Sequence, residues 1–208
     1  MENINSLGNK IATSNEKLSL FLNWFNGSVA TDNSKPLVLY HGSKNGIKNG
    51  FEDKFMFLTY SPTTALTYTR TKDNVLSVYA KIFKPYSVDF GGRTWNQLIP
   101  NTNMRYTDMI VNKIFSEHPE YDSIVFKNVI DRGPFYHKGT KFESVTNIVV
   151  KNASEQIRLC SDFIDNSNNS NNSNNSNNSN NSNNSDNSDN DKNINSQINE
   201  VLRIAGVK

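Results

Sequence analysis

The chain has 208 residues, with 22 Lys and Arg against 20 Asp and Glu and a formal net charge of +2. That balance offers no basic excess to neutralise a phosphate backbone, so a nucleic-acid partner is not expected. A single cysteine, Cys160, excludes an internal disulfide, and the apolar runs are too short to span a bilayer, so no membrane partner is expected.

Residues 1–15 are polar, lack the apolar stretch of a secretory signal and are expected to be flexible, which favours a cytoplasmic location. Glu16 to Phe25 reads as a helix, because Leu18, Phe21, Leu22 and Phe25 recur at helical spacing to make one apolar stripe. Ser14 stands ahead as a cap and Gly27 closes the segment. A polar turn over Thr31 to Lys35 leads through Pro36 into a buried strand, Leu37 to Tyr40. A Gly/Asn/Lys loop over 44–50 precedes a strand at Phe55 to Thr59. Ser61-Pro62 then opens a helix that carries Ala65 and Tyr68, with Ser as N-cap and Pro in the first helical position.

Asn74 to Phe83 and Tyr86 to Phe90 read as strands, Gly91-Gly92-Arg93 as a turn, and Asp108 to Phe115 as a helix. Ser123 to Phe126 and Val145 to Val150 are the last strands. Helix, strand, strand, helix and then mostly strands is an α+β pattern, without the regular alternation of a doubly wound sheet. One domain is expected over residues 16–164. Residues 165–191, dominated by an Asn-Asn-Ser repeat, have no apolar face to bury and read as a disordered linker. Residues 192–208 follow as a short amphipathic helix, with Ile194, Ile198, Val201, Leu202 and Ala205 at helical spacing.

The strongest chemical signal is Tyr40-His41-Gly42-Ser43, where a buried strand ends. An imidazole there can bond a ligand hydroxyl through one nitrogen while the fold holds the other. The glycine lets backbone donor and acceptor groups approach a planar amide with no side chain between them. A histidine at a strand-to-turn boundary also serves packing alone, and these residues by themselves leave both roles open. The three His and the lone Cys show no metal-ligand spacing, so no metal is expected.

The motifs occur in a particular order. Leu22-Asn23-Trp24-Phe25-Asn26-Gly27-Ser28 precedes Lys35-Pro36-Leu37-Val38-Leu39-Tyr40-His41-Gly42-Ser43; then come Phe57-Leu58-Thr59, and Pro62, Ala65 and Tyr68. Further on are Tyr121-Asp122-Ser123-Ile124-Val125, Asn128-Val129-Ile130-Asp131, the strand to Val150, and Glu155-Gln156-Ile157-Arg158. This series resembles the ADP-ribosyltransferase-like domains of phage polyvalent proteins, over about Leu22 to Arg158. The resemblance implies split antiparallel β-sheets around an NAD cleft with flanking helices. It also implies NAD as substrate, nicotinamide release, and mono-ADP-ribosylation of a protein acceptor.

Under the resemblance, His41 bonds the ribose beside nicotinamide, Gly42 pairs its backbone with the carboxamide, and Ser43 helps hold the adenosine side. Tyr68 stacks on the nicotinamide ring, and Phe57, Thr59 and Gln156 complete the cofactor-binding set. The chain departs from the wider superfamily's His-Tyr-Glu pattern in two places. Phe57 stands where a Tyr is usual, and the late strand has Asn147 or Ile148 where an acid is usual. Glu143, at that strand's entrance, is the candidate catalytic carboxylate beside His41. The departures leave two alternatives: an inactive NAD- or partner-binding module, or an NAD glycohydrolase.

Overall fold

A computed structural model describes residues 2–47, 50–52, 54–94, 106–136 and 143–165. The linker and C-terminal helix expected beyond 165 lie outside the described residues. α1 (Asn15–Phe25) forms where its apolar stripe predicts, and Ser14 caps it by accepting from the Lys17 amide at 3.2 Å. Its buried face centres on Phe21, whose ring lies 4.9 Å from Tyr79 and 5.1 Å from both Phe25 and Phe163.

The segment ahead of α1, expected to be flexible, is packed. Ile11 and Ala12 are buried, Asn3 bonds both the amide and the carbonyl of Ala12, and the buried Asn5 side chain donates to the Tyr79 hydroxyl at 3.0 Å. Asparagine side chains satisfy backbone groups here, so a polar sequence seats two apolar residues.

β1 (Thr31–Asp32) and β2 (Lys35–Pro36) form a small hairpin. β3 (Leu39–Gly42), β4 (Met56–Thr59), β5 (Val75–Ala80), β6 (Pro85–Thr94), β7 (Ser123–Ile130), β8 (Val145–Val150) and β9 (Ile157–Leu159) build one seven-stranded sheet in the order β6-β7-β8-β4-β3-β5-β9. The α+β class therefore stands, but the expected pair of antiparallel sheets does not. The strands join in one sheet, and β6 and β7 run parallel, connected across α3 (Tyr106–Glu117). The join at the sheet's centre is thin. β3 meets β4 at the single pair Tyr40–Thr59, whereas β3 pairs with β5, and β4 with β8, at four positions each.

Several boundaries differ from the sequence reading, three of them near the site or in its sheet. β3 starts at Leu39 and carries His41 and Gly42 inside the strand, because β5 extends the ladder to Leu76 and Val75. Gly91 and Gly92 do not end a strand; with φ of 58° and 77° they form a bulge within β6, where its register against β7 shifts. α2 (Pro62–Leu66) begins as expected, with Ser61 accepting from the Thr64 amide at 3.1 Å, but stops before Tyr68.

The two faces of the sheet bury separate apolar layers. Along β8, Ile148 and Val150 join the layer with α1, β3 and β5, while Val149 between them joins the layer under α3 with Ile110, Ile114, Ile124 and Phe126. Among the described residues no helix is long and apolar enough to cross a membrane.

Candidate functional site

Where the β3–β4 ladder stops, the sheet opens into a cavity of about 270 Å³. Its lining includes His41 and Gly42 from β3, Phe57 and Thr59 from β4, and Tyr68 from the turn after α2. Continuing the β3–β4 register beyond Tyr40–Thr59 would pair His41 with Leu58 and Gly42 with Phe57, but the ladder does not form there. The imidazole enters the seam instead, and its Nδ1 lies 2.9 Å from the Phe57 carbonyl oxygen. A carbonyl only accepts, so Nδ1 carries the proton and donates. Burial holds the His41 pKa below the ordinary imidazole value, outweighing the opposing pull of that carbonyl. The ring is therefore neutral at neutral pH, with Nε2 as a hydrogen-bond acceptor.

Gly42 has a packing reason to be glycine. A β-carbon there would fall 1.9 Å from the Ala65 carbonyl oxygen, so α2 is seated directly on the strand. The chain after α2 is pinned in turn. The Thr67 hydroxyl donates to the Thr64 carbonyl at 2.7 Å and accepts from the Gly133 amide at 2.8 Å, and the Phe135 amide bonds the Thr67 carbonyl at 2.9 Å. This clamp holds Tyr68 against the loop that follows β7. The Tyr68 hydroxyl donates to Asp131 Oδ1, and Asn147 Nδ2 donates to Asp131 Oδ2 at 2.6 Å. Asp131 and Asn147 line the same cavity, as do Thr107 and Asp108 of α3.

A second, more open cavity of about 710 Å³ shares His41 and Phe57 with the first and continues past Ser43, Gly46, Lys54 and Phe55. Ser43 belongs to this one, its hydroxyl donating to the Gly46 carbonyl at 3.3 Å. The site residues expected from the sequence thus separate. His41, Gly42, Phe57, Thr59 and Tyr68 converge on the first cavity and Ser43 lies on its extension.

Glu143 and Gln156 line neither cavity. Glu143 is exposed ahead of β8. The Gln156 side chain is buried and bonded to backbone: its Oε1 accepts from the Asn152 amide, and its Nε2 donates to the Lys81 and Asp122 carbonyls. It ties the turn after β8 to the end of β5 and the entrance of β7, which corrects its expected cofactor role.

The acids of the cavity, Asp108 and Asp131, were not among the expected site residues. Asp131 was visible only as the last letter of Asn128-Val129-Ile130-Asp131. That segment kinks at Asn128, whose φ is 55°, and the β7–β8 register shifts between Phe126 and Val129. Burial pushes the Cys160 thiol up to about 12, which disfavours its thiolate. Among the described residues no group of three or more His, Cys, Asp or Glu is placed to hold a metal. Comparison of the chain with protein-family models, curated proteins and solved structures finds no match, which leaves the geometry of this cavity to carry its chemistry.

Proposed function

We propose that the chain is an NAD-dependent ADP-ribosyltransferase that breaks the ribose–nicotinamide bond and transfers ADP-ribose to a protein acceptor. One observation carries this reading: a neutral imidazole and a tyrosine ring line one cavity at the point where the central strands part. The Nε2 lone pair of His41 suits a ribose hydroxyl, because Nδ1–H is already committed to Phe57. The Tyr68 ring, tethered through its hydroxyl, offers a face for nicotinamide, and such a contact contributes roughly 0.5–1.5 kcal/mol beyond burial. The two adjoining cavities suit a two-part ligand, with nicotinamide and its ribose in the smaller and the remainder along the larger.

In the reaction the C1′–N bond breaks and its electron pair leaves with neutral nicotinamide. Positive charge develops over ribose C1′ and the ring oxygen, as in glycoside cleavage. The acceptor then bonds C1′ and loses its proton. The test is nicotinamide release from NAD by the purified full chain, together with label transfer to protein. Release that is lost in His41→Ala supports the proposal; absence of both NAD binding and release in the wild type refutes it.

A second reading, a non-catalytic NAD-binding module, is favoured by Phe57, which brings no hydroxyl to the cavity, and by the exposed position of Glu143. It predicts NAD binding without nicotinamide release. Hydrolysis in place of transfer would give release with no labelled protein.

A further inference from the structure

We propose that the carboxylate of this site is Asp131, acting with Asn147 in the place of a single late-strand acid. The proposal rests on the NAD-cleaving reading above and assigns its electrostatic component. Asp131 is only 4% exposed and Asn147 only 2%, and both line the smaller cavity with His41. The Asn147 amide is oriented by its bond to Asp131, since only Nδ2 can donate to a carboxylate. Its Oδ1 is consequently fixed, and this buried oxygen has no hydrogen-bond partner among the described residues. A buried acceptor without a donor is destabilising, and a ligand hydroxyl is the group that would satisfy it.

Asn147 sits opposite Thr59 on β4 and Phe126 on β7. It occupies the late strand where the sequence offers no acid, and Asp131 supplies the charge one hydrogen bond away. The division of labour follows from the chemistry. Asn147 Oδ1 accepts from a ribose hydroxyl and positions the sugar. As the C1′–N bond breaks and its electron pair departs with nicotinamide, the Asp131 carboxylate faces the cation that forms, in a site where water screens it little. When the acceptor's O–H or N–H attacks C1′, its proton passes to Asp131 and from there to solvent. Tyr68 links the parts, since one hydroxyl holds the carboxylate while its ring lines the nicotinamide wall.

The test uses the full chain, NAD as probe, chromatographic detection of nicotinamide, calorimetric NAD affinity and a thermal melt. Asp131→Asn is expected to lower turnover by roughly 100-fold or more while NAD affinity stays within about threefold. Glu143→Gln, at an exposed carboxylate outside both cavities, is expected to keep turnover within about threefold of wild type. Asn147→Ala is expected to weaken NAD binding by about tenfold, which carries the test should Asp131→Asn not fold. Turnover that survives Asp131→Asn, or is lost instead in Glu143→Gln, overturns the proposal and leaves the reading beneath it intact. Unchanged affinity in Asn147→Ala also overturns it. A wild type that neither binds nor cleaves NAD overturns both.

Discussion

At Gly42 the constraint is backbone against backbone: the Ala65 carbonyl, 1.9 Å from where a β-carbon would stand, cannot swing away as a side chain could. Gly42→Ala is therefore expected to destabilise the fold by about 3 kcal/mol or more, measured by urea unfolding; a loss near zero would mean that α2 is not seated on β3. His41 makes a different kind of prediction. Its folded pKa lies below its unfolded value of about 6.5, so below that pH the unfolded chain binds the proton more readily. Stability should fall as pH drops from about 6.5 toward the folded pKa and then level off, with a slope no steeper than about 1.4 kcal/mol per pH unit. His41→Gln, which can still donate to the Phe57 carbonyl, should lack this component when urea unfolding is compared between pH 5 and 7.5. Equal slopes in the two proteins would place the imidazole in water. The sequence displayed these two residues because a His-Gly pair after an apolar run is unusual enough to notice. Asp131 was hidden, and Asn147 stood out only as a late-strand position without an acid: each is an ordinary polar letter, and only the meeting of β7's end and β8 with the turn after α2 makes them neighbours.

Elements were legible in proportion to their local signals. α1 has a stripe, a cap and a closing glycine, and it appears within one residue of its expected start. β8 has its expected bounds, because every residue from Asn147 to Val150 is buried and the strand reads as a continuous core segment. β3 moved by two residues because its end is set by its partner β5, a non-local fact. The β1–β2 hairpin was read only as a polar turn, since strands of two residues have no periodicity to detect. Its loop, Asn33-Ser34, has both φ values positive, at 49° and 64°, the geometry of a type I′ turn that favours Asn-Gly. A serine there is strained by roughly 1 kcal/mol, while glycine costs about half of that in unfolded-state entropy. Ser34→Gly should thus stabilise the protein by about 0.5 kcal/mol in thermal or urea melts, and a destabilisation would show that the serine side chain has a compensating role.

For the whole molecule, the decisive feature is a sheet buried on both faces, with the Phe21 aromatic cluster on one side and Asn147, Phe57 and Asp108 of the cavity lining on the other. The Phe21 cluster packs α1 onto β5, whereas Asn147, Phe57 and Asp108 belong to the face under α3. A sequence pattern could not divide the apolar residues between two layers, because in strands such as β8 both faces are apolar and alternation disappears. The division predicts that folding energy and site geometry separate under mutation. Phe21→Ala removes a fully buried ring and should cost about 3–5 kcal/mol in urea unfolding. While the protein remains folded, its NAD affinity should stay within about twofold of wild type, since the rings Phe21 packs against, Trp24, Phe25, Tyr79 and Phe163, are not in the cavity lining. Val149→Ala removes fewer atoms and should cost less stability, yet Val149 pairs with Phe57 across β4 and sits two residues from Asn147. Loosening that wall should weaken NAD binding by about tenfold, by analogy with other misplacements in a packed site. Calorimetry on both variants at a temperature where each is folded decides the matter. If Phe21→Ala impairs binding as much as Val149→Ala, the two layers are mechanically coupled through β4 and β8, and the cavity's shape depends on the entire core.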